Sequence, residues 1–144
     1  MIRVVVTSAP IVLADELAMA EQSGALATFT GMVRADDGVT ELMLEHYPGA
    51  TERALEALAR VAFQRWSLSG ATIVHRVGSM VPGDRIVFVA TSAAHRAAAL
   101  EACAFLIDRL KTDAPFWKRE RLGDRHRWVE PRKSDDASAA KWQL

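Results

Sequence analysis

Short β-branched runs cut apart by turn residues, with only two long stretches of helical periodicity among them, leave this chain few folds. Ile2 to Thr7 is the first such run, and Leu13, Leu17 and Ala20 recur at helical spacing in the segment from Leu13 to Gln22. Gly24 opens ALATFTGMV, RADDG from Arg34 to Gly38 reads as a turn, and VTELMLEHY resumes with Leu42 and Leu44 alternating against polar neighbours. These two runs are predicted as a hairpin with Arg34 at its mouth. Pro48-Gly49 stops the strand, after which Leu55, Leu58, Ala59, Ala62 and Trp66 mark an amphipathic helix expected to cover one sheet face. Ala71 to Val77 and Arg85 to Thr91 are predicted as a second hairpin, with Pro82-Gly83 supplying the turn chemistry. A helix from about Ala93 to Leu110 follows, with Leu100, Cys103, Ile107 and Leu110 on one apolar stripe, and Pro115 prevents its continuation. Phe116 to Arg119 is expected to be extended. A turn at Leu122 to Asp124, a short strand around Trp128-Val129 and a polar tail from Ser134 to Leu144 complete the chain.

This order predicts an α+β fold: a mainly antiparallel sheet with helices packed on it, in a single domain over residues 1–133 with the tail at 134–144. Too many neighbouring strands are joined by tight turns for a doubly wound parallel sheet. Half of the 144 residues are apolar, enough for one sizeable core. The single cysteine, Cys103, can make neither an internal disulfide nor a paired zinc or redox site, which fits a reducing compartment. The apolar run at the first residues is too short for a signal peptide, and no stretch approaches the length that crosses a bilayer. The expectation is a soluble cytoplasmic protein without a membrane partner.

Eighteen Lys and Arg balance eighteen Asp and Glu, so no long-range field draws polyanions in general. The distribution is uneven. From Arg109 to Lys133 there are nine basic residues and four acidic ones, a local excess of five that the remainder of the chain cancels. A basic segment on a neutral chain suits a small phosphorylated ligand better than a long nucleic acid.

Only four of the basic residues are lysines, and two of them, Lys111 and Lys118, bracket KTDAPFWK. Arginine keeps its proton in proteins, whereas lysine serves as acid, base or nucleophile once burial and neighbouring cations depress its pKa. The competing reading is structural: Lys111 complements a helix C-terminus and Lys118 is a solvated strand residue. His95-Arg96 falls in the first turn of a helix, where cations oppose the macrodipole and an anion such as phosphate would compensate. Alternatively both side chains point to solvent or pair with an acid such as Glu101. Arg34 is either a second anion clamp or an ordinary surface arginine. His46, His75, His95 and His126 are scattered, and no HExxH, paired Cys, GxSxG, P-loop or GxGxxG occurs, so neither a metal nor a resident cofactor is expected. His46 and His75 read as strand residues with structural hydrogen bonds, and Cys103 as core. Trp117 and Trp128 among basic residues leave open either base stacking or packing against core or partner.

FTGMVR (Phe29 to Arg34), LEHYPGAT (Leu44 to Thr51), HRVGSMVPGD (His75 to Asp84), SAAHRAAALEA (Ser92 to Ala102), KTDAPFWKRE (Lys111 to Glu120) and RWVEPR (Arg127 to Arg132) together resemble the molybdopterin synthase large-subunit (MoaE) family in order and spacing. The resemblance covers nearly everything from Gly24 to Arg132. It implies a hammerhead-like α/β fold and a sulfurtransferase that converts cyclic pyranopterin monophosphate to molybdopterin by two sulfur insertions. In that family the sulfur arrives as the C-terminal glycine thiocarboxylate of a small ubiquitin-like subunit, and a large-subunit homodimer forms the core of a heterotetramer. Carried onto matching positions, Lys111 and Lys118 are the catalytic pair. Lys111 would lie against the thiocarboxylate and act in proton transfer, and Lys118 would position and polarise the pterin, or the reverse. Arg34, His95 and Arg96 look like the substrate-anion pocket, with His95 and Arg96 reaching a neighbouring protomer's site, while Phe29 and Arg132 line the pocket. Two departures stand out: Met32 replaces a frequent basic residue in FTGxVR, and Asp113 puts an acid close to Lys111.

Overall fold

The computed structural model describes residues 1–20, 23–129 and 133–142. Among these described residues, eight strands and four helices follow in the order β1 (Ile2–Thr7), α1 (Leu13–Met19), β2 (Ala25–Met32), β3 (Glu41–His46), α2 (Ala50–Arg65), β4 (Gly70–Arg76), β5 (Gly78–Met80), β6 (Arg85–Ala93), α3 (Arg96–Asp113), β7 (Phe116–Leu122), β8 (Arg125–Val129) and α4 (Lys133–Ala140). The strands form two four-stranded sheets, β1-β4-β6-β2 and β5-β3-β7-β8. Among the described residues only β1 with β4 is parallel; every other ladder is antiparallel, in line with the expected α+β class.

Helices α2 and α3 lie on one face of the first sheet. Their apolar stripes, among them Leu55, Leu58, Ala59, Ala62, Ala102, Phe105 and Leu106, close over Ala71, Ile73 and Val89. The α2 stripe is the one its periodicity predicts. The α3 stripe is borne out only in part: Cys103 and Leu110 are buried and Ile107 packs against the core, but Leu100 is exposed, and Ala99, Ala102, Phe105 and Leu106 are buried beside them. This helix carries apolar residues around most of its girth, so spacing alone leaves its inward face undetermined. It also runs to Asp113, one turn further than Leu110, because Pro115 blocks the helix only at the residue before it. The opposite face of the first sheet is covered by a smaller cluster of Ile11, Ala20, Val74, Phe88 and Ala90, with Leu13 packed against it. Beside it, Arg3 pairs with the buried Glu16 of α1, and Leu17 is exposed.

The expected hairpin of β2 with β3 does not form. Strand β2 pairs with β6 in the first sheet, and β3 pairs with β5 and β7 in the second. The RADDG segment instead makes a 3₁₀ turn, Asp36–Gly38, that carries the chain from one sheet to the other. Strands β4 and β6 do pair as expected, from Gly70 opposite Ser92 to His75 opposite Val87. Between them the chain detours through β5, where Gly78 takes a φ of 87° and Met80 inserts into the small core of the second sheet. The β7–β8 hairpin turns at Gly123, as read from the sequence.

The stretch expected as a polar tail carries α4, which packs on α3 with Ala139 buried. Trp142 closes the contact: its indole N–H donates to Asp108 at 2.6 Å, and its ring meets Phe105 and Trp66 edge-on at 5.8 and 5.7 Å. Trp142→Ala is expected to remove about 2 kcal/mol, below the range of about 3–5 kcal/mol for truncating fully buried aromatics because this ring is only half-buried. Urea denaturation followed by circular dichroism measures the loss.

Candidate functional site

The two bracketing lysines sit on either side of the bend that joins α3 to β7. Lys111 is in the last turn of α3 and Lys118 is the third residue of β7, and both side chains are exposed. Ala114, the residue before Pro115, leaves the helical region with φ −85° and ψ 129°, as the proline ring requires. Phe116 then enters the second sheet opposite His46, and Lys118 stands opposite Leu44 on β3 and Val129 on β8. Directly opposed residues share a face, so His46, Phe116, Leu44 and Lys118 look the same way, toward the small core of Val33, Leu42, Leu44, Val77 and Met80.

Two buried polar side chains hold the back of this bend. Thr51, fully buried at the start of α2, donates its hydroxyl to the Pro115 carbonyl at 3.3 Å and accepts from the Tyr47 N–H at 3.0 Å. His75, buried near the end of β4, stacks its ring on Phe116 with centroids 3.9 Å apart and planes 21° off parallel. Its Nδ1 lies 2.9 Å from the Arg76 carbonyl, so Nδ1 carries the proton and Nε2 is the acceptor in the neutral ring. Burial, opposed in part by that hydrogen bond, pushes the His75 pKa down to about 4, with the charges of Lys118 and His46 acting in the same direction as burial. Sequence reading gives His75 a structural hydrogen bond, which it has, and does not single out Thr51. The available signal is a polar residue at the end of the inward alternation Ala71, Ile73, His75.

The acid near Lys111 is otherwise engaged. Asp113 pairs with Arg109 at 2.7 Å one turn back and accepts from the Thr112 hydroxyl at 3.0 Å. Cys103 faces the core, where burial raises its thiol to about 11 despite a hydrogen bond with Thr91, so it holds its proton at neutral pH. Among the described residues no group of three His, Cys, Asp or Glu side chains is placed to hold a metal ion.

The anion-binding candidates divide between two ends of the molecule. Arg34 follows β2, exposed and 3.3 Å from Asp36; its neighbour Val33 packs with Leu44, the residue opposite Lys118. His95 and Arg96 begin α3, and some 15 residues of helix, about 22 Å, separate Arg96 from Lys111. There the two residues line a broad, open concavity of about 610 Å³ with Gly24, Ala25, Ala94 and Ala97. Gly24 is pressed so close that a Cβ would collide with the Ala94 carbonyl oxygen. No side chain caps the helix and no acid stands in its first turn, so the positive end of the dipole faces two basic side chains. A single chain therefore does not gather His95 and Arg96 with the lysines. Phe29 lies midway along β2, partly exposed, and Arg132 lies outside the described residues.

Tyr47, Trp117 and Trp128 form an exposed edge-to-face series on the other side of the second sheet, with Arg119 beside Trp128. These rings do not pack into the core.

The MoaE protein family model matches residues 6–113. The chain belongs to the MoaE family. Among its MoaE relatives, the molybdopterin synthase catalytic subunit of Salmonella typhimurium is 49% identical over 97% of both chains. A solved MoaE molybdopterin biosynthesis protein from Burkholderia ambifaria superposes with a TM-score of 0.85, at 46% identity, over 99% of this chain and 98% of that one. The MoaE fold persists at 20% identity, with a TM-score of 0.73 over 91% of each chain, in a Helicobacter pylori complex of subunits 1 and 2 of molybdopterin-converting factor.

Proposed function

We propose that this chain is the catalytic subunit of molybdopterin synthase in molybdenum cofactor biosynthesis, converting cyclic pyranopterin monophosphate to molybdopterin in the cytoplasm. The observation that carries the reading is the Lys111–Pro115–Lys118 bend in a chain of this family. Two amines flank a two-residue connector, beside a strand whose neighbour leads to Arg34. A cationic site of this kind suits a phosphorylated pterin and an anionic thiocarboxylate. The buried Cys103 thiol, held protonated, is a poor sulfur relay, so the sulfur is taken from outside, from the C-terminal glycine thiocarboxylate of a small ubiquitin-like subunit. Each carrier delivers one sulfur, so two carriers are consumed for each dithiolene. Lys111 lies against the thiocarboxylate and moves protons; Lys118 orients and polarises the pterin. The same geometry accommodates the two roles exchanged.

His95 and Arg96 enter from a second copy. Strand β2 is the terminal strand of its sheet, eight residues long, with Thr28, Phe29 and Met32 exposed, and such an edge is a template for another strand. Antiparallel pairing of β2 with its copy about a two-fold axis sets the Ala25 end of one protomer beside the Met32 end of the other. That brings the His95–Arg96 concavity of one protomer toward Arg34 of its partner, completing a pocket that Phe29 lines. Thr28→Lys, which places a charge on each facing edge, is expected to shift the dimer to monomer in sedimentation velocity and to lower turnover with it.

The deciding experiment combines the purified chain, a thiocarboxylated small subunit and cyclic pyranopterin monophosphate, with the dithiolene product read by mass spectrometry. Product that depends on all three components supports the reading. Salt-sensitive RNA binding without pterin conversion would replace it with a nucleic-acid module.

A further inference from the structure

Phe116 is the one side chain of the connector region that touches both principal cores. It packs against the cluster beneath α2 and α3 and also against the small core of the second sheet. Its ring is therefore the mechanical link between the helix that carries Lys111 and the strand that carries Lys118. What presses on Phe116 sets how those two elements sit relative to each other. His75 supplies the pressing face from the first sheet, and Thr51 ties the adjoining Pro115 carbonyl to the start of α2.

We propose that His75 and Thr51 form a positioning clamp on the Pro115–Phe116 bend, one that sets the relative placement of the Lys111 and Lys118 amines. The inference rests on the reading that these lysines perform the chemistry.

The residue types fit the task. Ala71 and Ile73 precede His75 on the same inward-facing side of β4, and a leucine at 75 would fill the volume at less desolvation cost. A leucine has no flat face and no N–H. The imidazole has both: Nδ1–H donates to the Arg76 carbonyl and locks the ring, leaving its face to stack on Phe116. The ring is also held uncharged, so it sits close to Lys118 without opposing that cation. Thr51 is equally specific. Its hydroxyl accepts from Tyr47 N–H on one side and donates to Pro115 on the other, bridging the turn before α2 to the bend. A valine of the same shape would leave both backbone groups without this partner in a partly buried place.

Neither residue needs to touch substrate for this effect. A misplacement on the order of 1 Å at reacting groups costs about 10²-fold in rate. The test uses the chain assembled with its thiocarboxylated small subunit and supplied with cyclic pyranopterin monophosphate, comparing His75→Leu, His75→Phe, Thr51→Val and Thr51→Ser. His75→Leu and Thr51→Val are expected to lower kcat by roughly tenfold to a hundredfold, with KM within about threefold and the folded fraction unchanged at assay temperature. Thr51→Ser, which keeps the hydroxyl, and His75→Phe, which keeps the stacked ring, are expected to recover most of kcat. His75→Leu added to Lys118→Ala is expected to cost little more than Lys118→Ala alone, because the relative placement of the two amines matters only while both are present.

Wild-type kcat in His75→Leu and Thr51→Val overturns the clamp. So does a loss that follows the folded fraction, or one that adds in full to Lys118→Ala. If His75→Leu does not fold, Thr51→Val with its serine counterpart decides alone. Failure of the underlying reading is distinguishable: full turnover in Lys111→Ala and Lys118→Ala removes the lysines whatever the clamp variants do, whereas inactive lysine variants beside fully active clamp variants remove only the clamp.

Discussion

Lys118→Ala and Lys111→Ala are each expected to lower dithiolene formation by roughly 10²- to 10⁴-fold, the range that loss of a positioned acid–base or charge-stabilising group produces. Both side chains are exposed, so their removal is expected to leave the urea midpoint close to wild type, as for most surface substitutions. Activity and stability should therefore separate cleanly. Arginine is the sharper probe at Lys118. It keeps the charge but holds its proton, so Lys118→Arg retains turnover if that residue only orients an anion and loses it if the amine moves a proton. The same pair of substitutions at Lys111 assigns the roles. Near wild-type product formation by both alanine variants would remove the catalytic assignment from this bend.

Acid is expected to weaken the fold through His75 in a window set by its burial. In the unfolded chain the imidazole titrates near 6.5; in the native chain, desolvated and beside Lys118 and His46, it titrates near 4. Between those values the unfolded state binds a proton that the native state does not, so stability falls as pH falls from about 6.5 toward 4 and this group contributes no further loss below. The gap corresponds to about 3 kcal/mol, a large share of the stability of a domain this size. Urea denaturation at about pH 7.5 and about pH 4, in wild type and His75→Phe, isolates the effect. The variant should lose about 3 kcal/mol less on acidification. Equal losses in both proteins would mean that the buried imidazole is not the group that titrates.

Local signals carried much of the architecture. The alternation of Leu42 and Leu44, the α2 stripe, the paired strands around Pro82-Gly83 and the turn at Gly123 all depend on residues close in the chain, and each appears where its spacing puts it. The errors share a different character. RADDG has the composition of a hairpin turn, yet it delivers β2 and β3 to different sheets, because strand pairing is decided by partners far away in sequence. Leu100 matches a helical stripe and still faces solvent, since an apolar helix acquires its inward face only when packed. A tail that is polar by composition holds a helix because Trp142 meets Phe105, Trp66 and Asp108, contacts no local window contains.

The candidate site divides along the same line. Residue chemistry and motif order were enough to single out Lys111, Lys118, Arg34, His95 and Arg96, and to place the chain in its family, because side-chain identity is written directly in the chain. Distance is not. That His95 and Arg96 stand a helix length from Lys111 follows from the rigid rise of α3, and that an imidazole lies flat on the phenyl ring between the two lysines follows from how two sheets meet. Those relations belong to the packed molecule, where contacts between residues remote in sequence outweigh local preference.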